Sequence, residues 1–340
     1  MAIILAVPRR RALLILAALA CLAFASLLLH ISLGGSTQIG PFDLIQQISR
    51  GDAGGQDAVN TIVWRIRLPR ACAAALVGAL LASVGAAFQL LFRNPLAEPY
   101  VLGVSSGAAL GGSLAVVLGV SAAAAGLGQT ALAFLGGIAS LLLVMAIGRG
   151  RRVETTLLAG VVVGSMLSAV LSMILLMAGR DSNQLLRWLL GSTSPMFWER
   201  VALLAIVLAV GLALLMRTSR RLNAFAMGES AALRLGVDAP KLRRQILLVG
   251  SAMTAAAVGT VGIIPFVGLA APHAARRILG PDARWNLPAS ALMGASLLLL
   301  ADVLTQRLRP GIEIPLGAVT AFLGAPALLA LLRRRQPSAG

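Results

Sequence analysis

Charge is scarce in this chain: Asp, Glu, Lys and Arg make up 12% of its 340 residues, against about 25% in a soluble globular domain. With 58% hydrophobic residues beside it, that composition excludes a soluble enzyme, a disordered chain and a secreted disulfide scaffold. The one lysine, Lys241, follows Pro240. No G-x-x-x-x-G-K-[ST] phosphate loop therefore exists, and the chain is not itself a P-loop ATPase. Cys21 and Cys72 lie far apart in apolar runs, which leaves no disulfide framework or thiolate metal site to read. His30 and His273 are too few and too distant for a local metal motif. His273 beside Pro272 fits a satisfied histidine at a helix end better than a haem ligand. Aromatics are 4% with a single tyrosine, so there is no stacking platform for nucleic acid despite a net charge of +17. H-E-x-x-H and G-x-S-x-G are missing, and no carboxylates pair. Asp302, Glu313 and Glu154 fall at the ends of apolar runs, not at a membrane midplane where ion-coupled carriers place acids.

Hydrophobic residues are abundant, at 58% with a mean hydropathy of +0.90. A hydrocarbon core about 30 Å thick needs about 20 apolar residues in a helix. Runs 12–33, 71–92, 100–120, 122–147, 155–178, 200–216, 286–304 and 315–332 meet that need, and 245–275 remains to be divided. The first run has 22 residues, longer than the apolar core of about 7–15 in a signal peptide, and reads as a retained span. Gly103, Gly107 and Gly111 lie four apart, as do Gly160 and Gly164, a spacing that lets helix backbones approach closely in lipid.

Basic clusters orient the chain. Arg9–Arg11, Arg93, Arg149, Arg151, Arg152, the 217–244 loop, Arg276, Arg277, Arg284 and Arg333–Arg335 fall on alternate segments that net +15, while the other set nets +2. The first set is cytoplasmic. Arg243-Arg244 and Arg276-Arg277 then share a side, so 245–275 crosses an even number of times. Gly262-x-x-Pro265 breaks it, and the limb Pro265–Ala275 is about 16 Å long, too short to span. Such a limb survives only where protein or a water-filled cavity surrounds it. The expected fold is all-α and polytopic: about ten transmembrane segments in one domain over 1–340, with both termini cytoplasmic.

Two exposed features invite partners. Arg65, Arg67 and Arg70 cluster at the outer start of the second span. Guanidinium groups there suit the carboxylates of a soluble partner; snorkelling to lipid phosphate or pairing with Asp57 is the alternative. On the cytoplasmic side, 217–244 reads as one or two short helices with a stop at Gly236. Phe225, Met227, Leu233 and Leu235 would face water there unless covered by a partner or by the membrane face.

Several stretches together resemble the permease subunits of ABC importers for iron–siderophores, haem and cobalamin, the FecCD-type family. They are Arg67-Leu68-Pro69-Arg70; Arg93-Asn94-Pro95-Leu96-Ala97-Glu98-Pro99 followed by Leu102–Ala108; Leu158-Ala159-Gly160; Trp188-x-x-Gly191-Ser192; Gly228-Glu229 with Ala232 and Leu235-Gly236; Phe266–Leu269 with Pro272-His273 and Arg276; and Glu313-x-Pro315-x-Gly317 with Gly324-Ala325-Pro326. The resemblance covers 58–332. It implies a homodimer around a central path for a metal chelate, two separate ATPase subunits that hold the ATP, and an extracytoplasmic substrate-binding protein. It implies no cofactor or resident metal on this chain, no catalytic residue, and lipid but no nucleic acid as surroundings. Ala226, Met227, Gly228, Glu229, Ala232, Leu235 and Gly236 are the implied coupling residues. Arg67 and Arg70 are the implied docking residues. A third family arginine is expected four places after Asp302; Gln306 stands there and Arg307 follows, turned by about 100°. Gly262, Pro265, Gly160 and Gly164 are candidate pathway residues. An ion-coupled secondary transporter is the alternative reading.

Overall fold

The structure is a computed structural model that describes residues 7–34, 39–52, 57–120, 123–148, 153–179, 182–308 and 314–333. Among these residues every regular element is helical. Helix α1 (Arg9–Leu33) leads to a short α2 (Pro41–Arg50). A continuous stretch, Ala58–Leu91, follows as α3 (Ala58–Thr61), a π-helical segment (Ile62–Arg67) and α4 (Leu68–Leu91). The widened turn has a local cause. Pro69 lacks an N–H, and its ring crowds the carbonyl four residues earlier, so the hydrogen-bond ladder opens just ahead of it.

Next come α5 (Val104–Val117), α6 (Ala123–Ile147), α7 (Val153–Met177), α8 (Ser182–Leu189) and α9 (Trp198–Ala226). The chain closes with α10 (Glu229–Arg234), α11 (Ala239–Val261), α12 (Val267–Leu279), α13 (Ala283–Arg307) and α14 (Leu316–Arg333). Seven helical stretches are long and apolar enough to cross a membrane, and α5 and α14 are shorter apolar helices. With the half-length α12, these make up the ten segments expected from the sequence. The 13 residues of α12 reach about 20 Å, less than a bilayer core.

Helix α4 is the centre, packed by α13, α9, α12 and α11. Its apolar window is 83% buried within the chain, against 17% for α1 and for α7, which are therefore peripheral. Glycine sets the closest approaches. A Cβ at Gly78 would meet the Gly294 carbonyl of α13, and one at Gly85 the Gly268 carbonyl of α12. On α5, Gly107 and Gly111 lie against Gly136 and Leu132 of α6.

Two span boundaries and two short helices differ from the sequence expectation. The span read as 200–216 runs on to Ala226, so the loop read as 217–244 shrinks to 227–238 around α10. Arg217, Arg220 and Arg221 end the apolar run, but arginine is a good helix former and nothing breaks the helix until Gly228. The span read as 100–120 begins as a 3-10 turn (Pro99–Leu102), and α5 proper has 14 residues. The short helices α2 and α8 are too polar to register as apolar runs. Glu313, Arg149, Arg151, Arg152, Arg334 and Arg335 lie outside the described residues.

Candidate functional site

A groove of about 480 Å³ opens between the Tyr100–Ser106 segment and α7. Gly160 and Gly164 line it with Ser106, Ser165 and Ser168. Gly103, at φ +70°, brings its backbone against Gly160 and Gly164, where a side chain would collide. Ser106 Oγ and Ser168 Oγ are 3.1 Å apart across the groove. The lining offers hydroxyls and glycine backbone, with no charged side chain.

The other two candidate pathway residues, Gly262 and Pro265, mark the break between α11 and α12. Gly262 has φ +77°, and a Cβ there would run into the Trp188 carbonyl. Phe266, a non-glycine at φ +68°, turns the chain into α12. Glu98 Oε1 accepts the Phe266 N–H at 2.7 Å, placing a carboxyl at the start of the half-helix. Burial pushes the Glu98 carboxyl above its ordinary range, against the smaller opposing effect of the Phe266 amide. Tyr100 lines the groove while its hydroxyl holds Ile264 in the break. The groove and the break are therefore neighbours joined by one side chain.

At the cytoplasmic end, Gly228 at φ +120° turns the chain from α9 into α10. Ala232 is fully buried and fixes the inner side of α10. The outer side displays Met227, Leu233 and Leu235, which are 65%, 57% and 63% exposed, whereas Phe225, expected beside them, is only 2% exposed because α9 continues through it. Ala226, Glu229 and Gly236 are exposed beside them. The loop's base is anchored: Asn223 Nδ2 donates to Asp282 Oδ1 at 2.7 Å, and the Ala283 N–H donates back to Asn223 Oδ1 at 2.8 Å. Burial raises the Asp282 carboxyl, but hydrogen bonds from Arg284 and Asn223 hold it below its ordinary value. Arg243 reaches Glu229 at 3.3 Å.

The outer end differs from the open rim read in the sequence. Arg67 and Arg70 are 4% and 8% exposed, and their guanidinium groups turn inward. Arg70 grips Asp302 with two bonds, Nε to Oδ2 at 2.8 Å and Nη2 to Oδ1 at 2.9 Å. Asp302, read as a span-end acid, is 0% exposed because α13 continues past it to Arg307. His30 Nε2 lies 2.6 Å from Asp302 Oδ2. Arg67 Nη1 donates to the Ile31 carbonyl at 2.7 Å, and Arg307 Nε to the Leu33 carbonyl at 2.8 Å. Both cations thus meet the last turn of α1, where the helix dipole favours positive charge. Arg65 is the exposed arginine of the cluster and approaches Asp52 at 3.5 Å. Asp57 instead caps α3 through the Val59 N–H and accepts from Gln47. Sequence reasoning assigned no role to Thr193 or Tyr100 and read Asp302 only as an acid at the end of an apolar run; its position just inside that run was the available signal for burial.

A helical bundle with a broken helix, a lined groove and a displayed cytoplasmic loop defines a membrane permease. The model of the FecCD transport family matches residues 17–334. A cobalamin import system permease protein of Halobacterium salinarum is 41% identical over 83% of this chain and 76% of its own length. The Fe(3+) dicitrate transport system permease protein FecD of Escherichia coli is 37% identical over 80% of this chain and 85% of its own. Among solved structures, an inward-facing metal-chelate type ABC transporter superposes with a TM-score of 0.83 at 30% identity, covering 94% of this chain and 99% of that one. The chain belongs to the FecCD transport family, and it is a multi-pass protein of the cytoplasmic membrane. It is a transport permease subunit, which sets aside the ion-coupled carrier.

Proposed function

We propose that this chain carries a metal chelate (an iron–siderophore complex, haem or cobalamin) across the cytoplasmic membrane as the permease of a binding-protein-dependent ABC importer. The cargo class follows the relatives, whose names specify cobalamin and ferric dicitrate. The chain works as one permease domain over 1–340, without a cofactor or catalytic residue of its own. ATP is bound and hydrolysed on two partner subunits. A second copy packs against the exposed apolar face of α7, where Val162, Met173 and Leu176 are uncovered. The binding protein meets the outer end around Arg67, Arg70 and Arg307, where Arg65 adds an exposed guanidinium group.

The observation that carries this reading is the cytoplasmic loop. Three large apolar side chains stand in water on a segment whose base is hydrogen-bonded in place. Each would gain about 1.5–3 kcal/mol on full burial, and an anchored apolar face of this kind is a docking surface. An ATPase that closes on ATP pushes on Ala226–Gly236. Helices α9 and α11, which flank the loop, carry the push to the break and the groove. A lining of serine hydroxyls and glycine backbone holds a bulky chelate weakly enough to release it.

The test is uptake into proteoliposomes holding the chain with its ATPase, with binding protein supplied outside. ATP-dependent accumulation of cobalamin, haem or a ferric siderophore is expected, and none by the permease alone. Uphill uptake by the lone permease overturns the proposal.

A further inference from the structure

We infer that Asp302 and Thr193 are positioning residues for transport: they tie the buried arginines of the outer end, Arg67 and Arg70, to the broken helix, so that load on the outer face reaches the break. The inference rests on the function proposed above for its biological setting, but its geometry stands separately.

Asp302 is a fully buried carboxylate shared by separate parts of the bundle. Its Oδ2 takes Arg70 Nε from α4, His30 of α1 at 2.6 Å, and Gln306 Nε2 at 3.2 Å. Its Oδ1 takes Arg70 Nη2, Thr193 Oγ1 at 2.9 Å and Thr305 Oγ1 at 3.2 Å. A carboxylate has about four lone-pair sites, so its acceptor capacity is filled. On the outer side, His30 immediately precedes Ile31, whose carbonyl receives Arg67. Movement of the α1 end or of Arg67 therefore bears directly on the donors of Oδ2.

Thr193 faces the other way. It is 0% exposed and belongs to the segment after α8 that is hydrogen-bonded to the break and to α14. The Ser192 N–H donates to the Val261 carbonyl at 2.8 Å, the last residue of α11. Leu316 N–H donates to the Gly191 carbonyl at 2.9 Å, and Gly317 N–H to the Leu190 carbonyl at 3.1 Å. Gly262 leaves no room for a Cβ against Trp188, nor Gly191 against the Ile263 carbonyl. The 188–193 segment therefore cannot shift without moving 261–264. The side-chain hydrogen bond from Thr193 to Asp302 links it to Arg70. The break is where such a load can act: beyond the Gly262 N–H, which bonds the Val258 carbonyl, residues 263–265 carry no helical ladder and Ile264 is held by Tyr100 instead.

The experiment uses the full chain with Cys21→Ser, Cys72→Ser and Ile264→Cys. A water-soluble maleimide reports exposure of the break in lipid nanodiscs. Thr193→Val is expected to raise the labelling rate about fivefold, the population change set by losing one typical hydrogen bond. Thr193→Ser, which keeps the hydroxyl, restores the slow rate. Thr305→Val removes a hydroxyl that sits 3.2 Å from the same oxygen but bonds the Asp302 carbonyl at 2.7 Å within α13, and leaves the rate unchanged. In the assembled transporter, Thr193→Val lowers stimulation of ATP hydrolysis by the binding protein, while basal hydrolysis and binding-protein affinity hold. Unchanged labelling in Thr193→Val, or an equal rise in Thr305→Val, overturns the inference. So does full stimulation in Thr193→Val. A wild-type complex that ignores the binding protein defeats the importer reading instead, and the labelling result still decides the link.

Discussion

Tyr100 clasps Ile264 on both of its backbone groups: the phenol donates to the Ile264 carbonyl at 2.8 Å and accepts the Ile264 N–H at 3.1 Å. Beyond the Gly262 N–H, which bonds the Val258 carbonyl at 2.8 Å, the 263–265 segment has no helical ladder, so its polar groups need partners from elsewhere in the fold. Tyr100 supplies two of those bonds from the wall of the groove. A change in the width of the groove and a change in the break are thus mechanically one event.

Tyr100→Phe keeps the ring and removes both bonds. Leaving two buried backbone groups unmatched costs about 2–4 kcal/mol. A lower thermal midpoint is expected by tryptophan fluorescence in detergent, together with reduced uptake. Tyr100→Phe with wild-type stability and transport would show that the clasp carries no strain.

Glu98 gives a pH dependence with a definite sign. Burial raises its folded-state pKa above the ordinary carboxylate value of 4.5. Between the two values the folded protein binds more protons than the unfolded chain, so stability falls as pH rises through that window. Glu98→Gln keeps an oxygen acceptor for the Phe266 N–H and cannot ionise. Thermal midpoints measured from pH 4 to pH 8 should lose part of their downward slope in this variant. An unchanged slope would mean that Glu98 titrates as it does in water.

Gly85 faces the Gly268 carbonyl where α4 crosses α12. Even one methyl there forces the helices apart at the centre of the bundle, and interiors yield little to overpacking. Gly85→Ala is expected to cost more than about 3 kcal/mol and to abolish stable expression. Gly51→Ala, in open space but at φ +72° and ψ −172°, outside the left-handed well, costs only the strain of that conformation, about 1–3 kcal/mol. Comparable yields of the two variants would remove the close approach from the account.

Hydropathy and charge parity were enough to read the ten segments, the half-length α12 and the cytoplasmic loop. Each depends on a local property: an apolar run, a basic cluster, or a glycine–proline break such as Gly262-x-x-Pro265. The outer end was not legible in that way. Arg70 and Asp302 are 232 positions apart, and nothing local shows that the arginine turns inward to a buried acid. The lengthening of α9 was hidden for the opposite reason. Arg217, Arg220 and Arg221 end the apolar signal without ending the helix, because leaving the membrane does not break a hydrogen-bond ladder. Gly160 and Gly164 were visible as a spacing; their joint groove with Tyr100 required three-dimensional contact between α7 and the segment before α5.

The two glycines that frame α10 should respond differently to substitution. Gly236, at φ +73°, closes the helix in a Schellman arrangement: Val237 N–H donates to the Ala232 carbonyl and Gly236 N–H to the Leu233 carbonyl, at 2.9 Å each. Asparagine adopts that left-handed conformation with little strain, and Gly236 has open space for a side chain. Gly236→Asn should therefore leave transport near wild type. Gly228 sits at φ +120° and ψ +149°, outside the left-handed well, where a side chain costs about 1–3 kcal/mol. Gly228→Ala should re-aim α10 and its exposed Met227 and Leu235 without touching the bundle core. ATP hydrolysis by the assembled complex would then continue while chelate uptake falls about tenfold, the rate change for a loss of roughly 1.4 kcal/mol in coupling. Co-purification of the ATPase and the ratio of ATP hydrolysed to chelate imported measure this directly. If Gly228→Ala and Gly236→Asn gave the same ratio as wild type, the orientation of α10 would have no part in coupling, and the loop would serve as a tether alone.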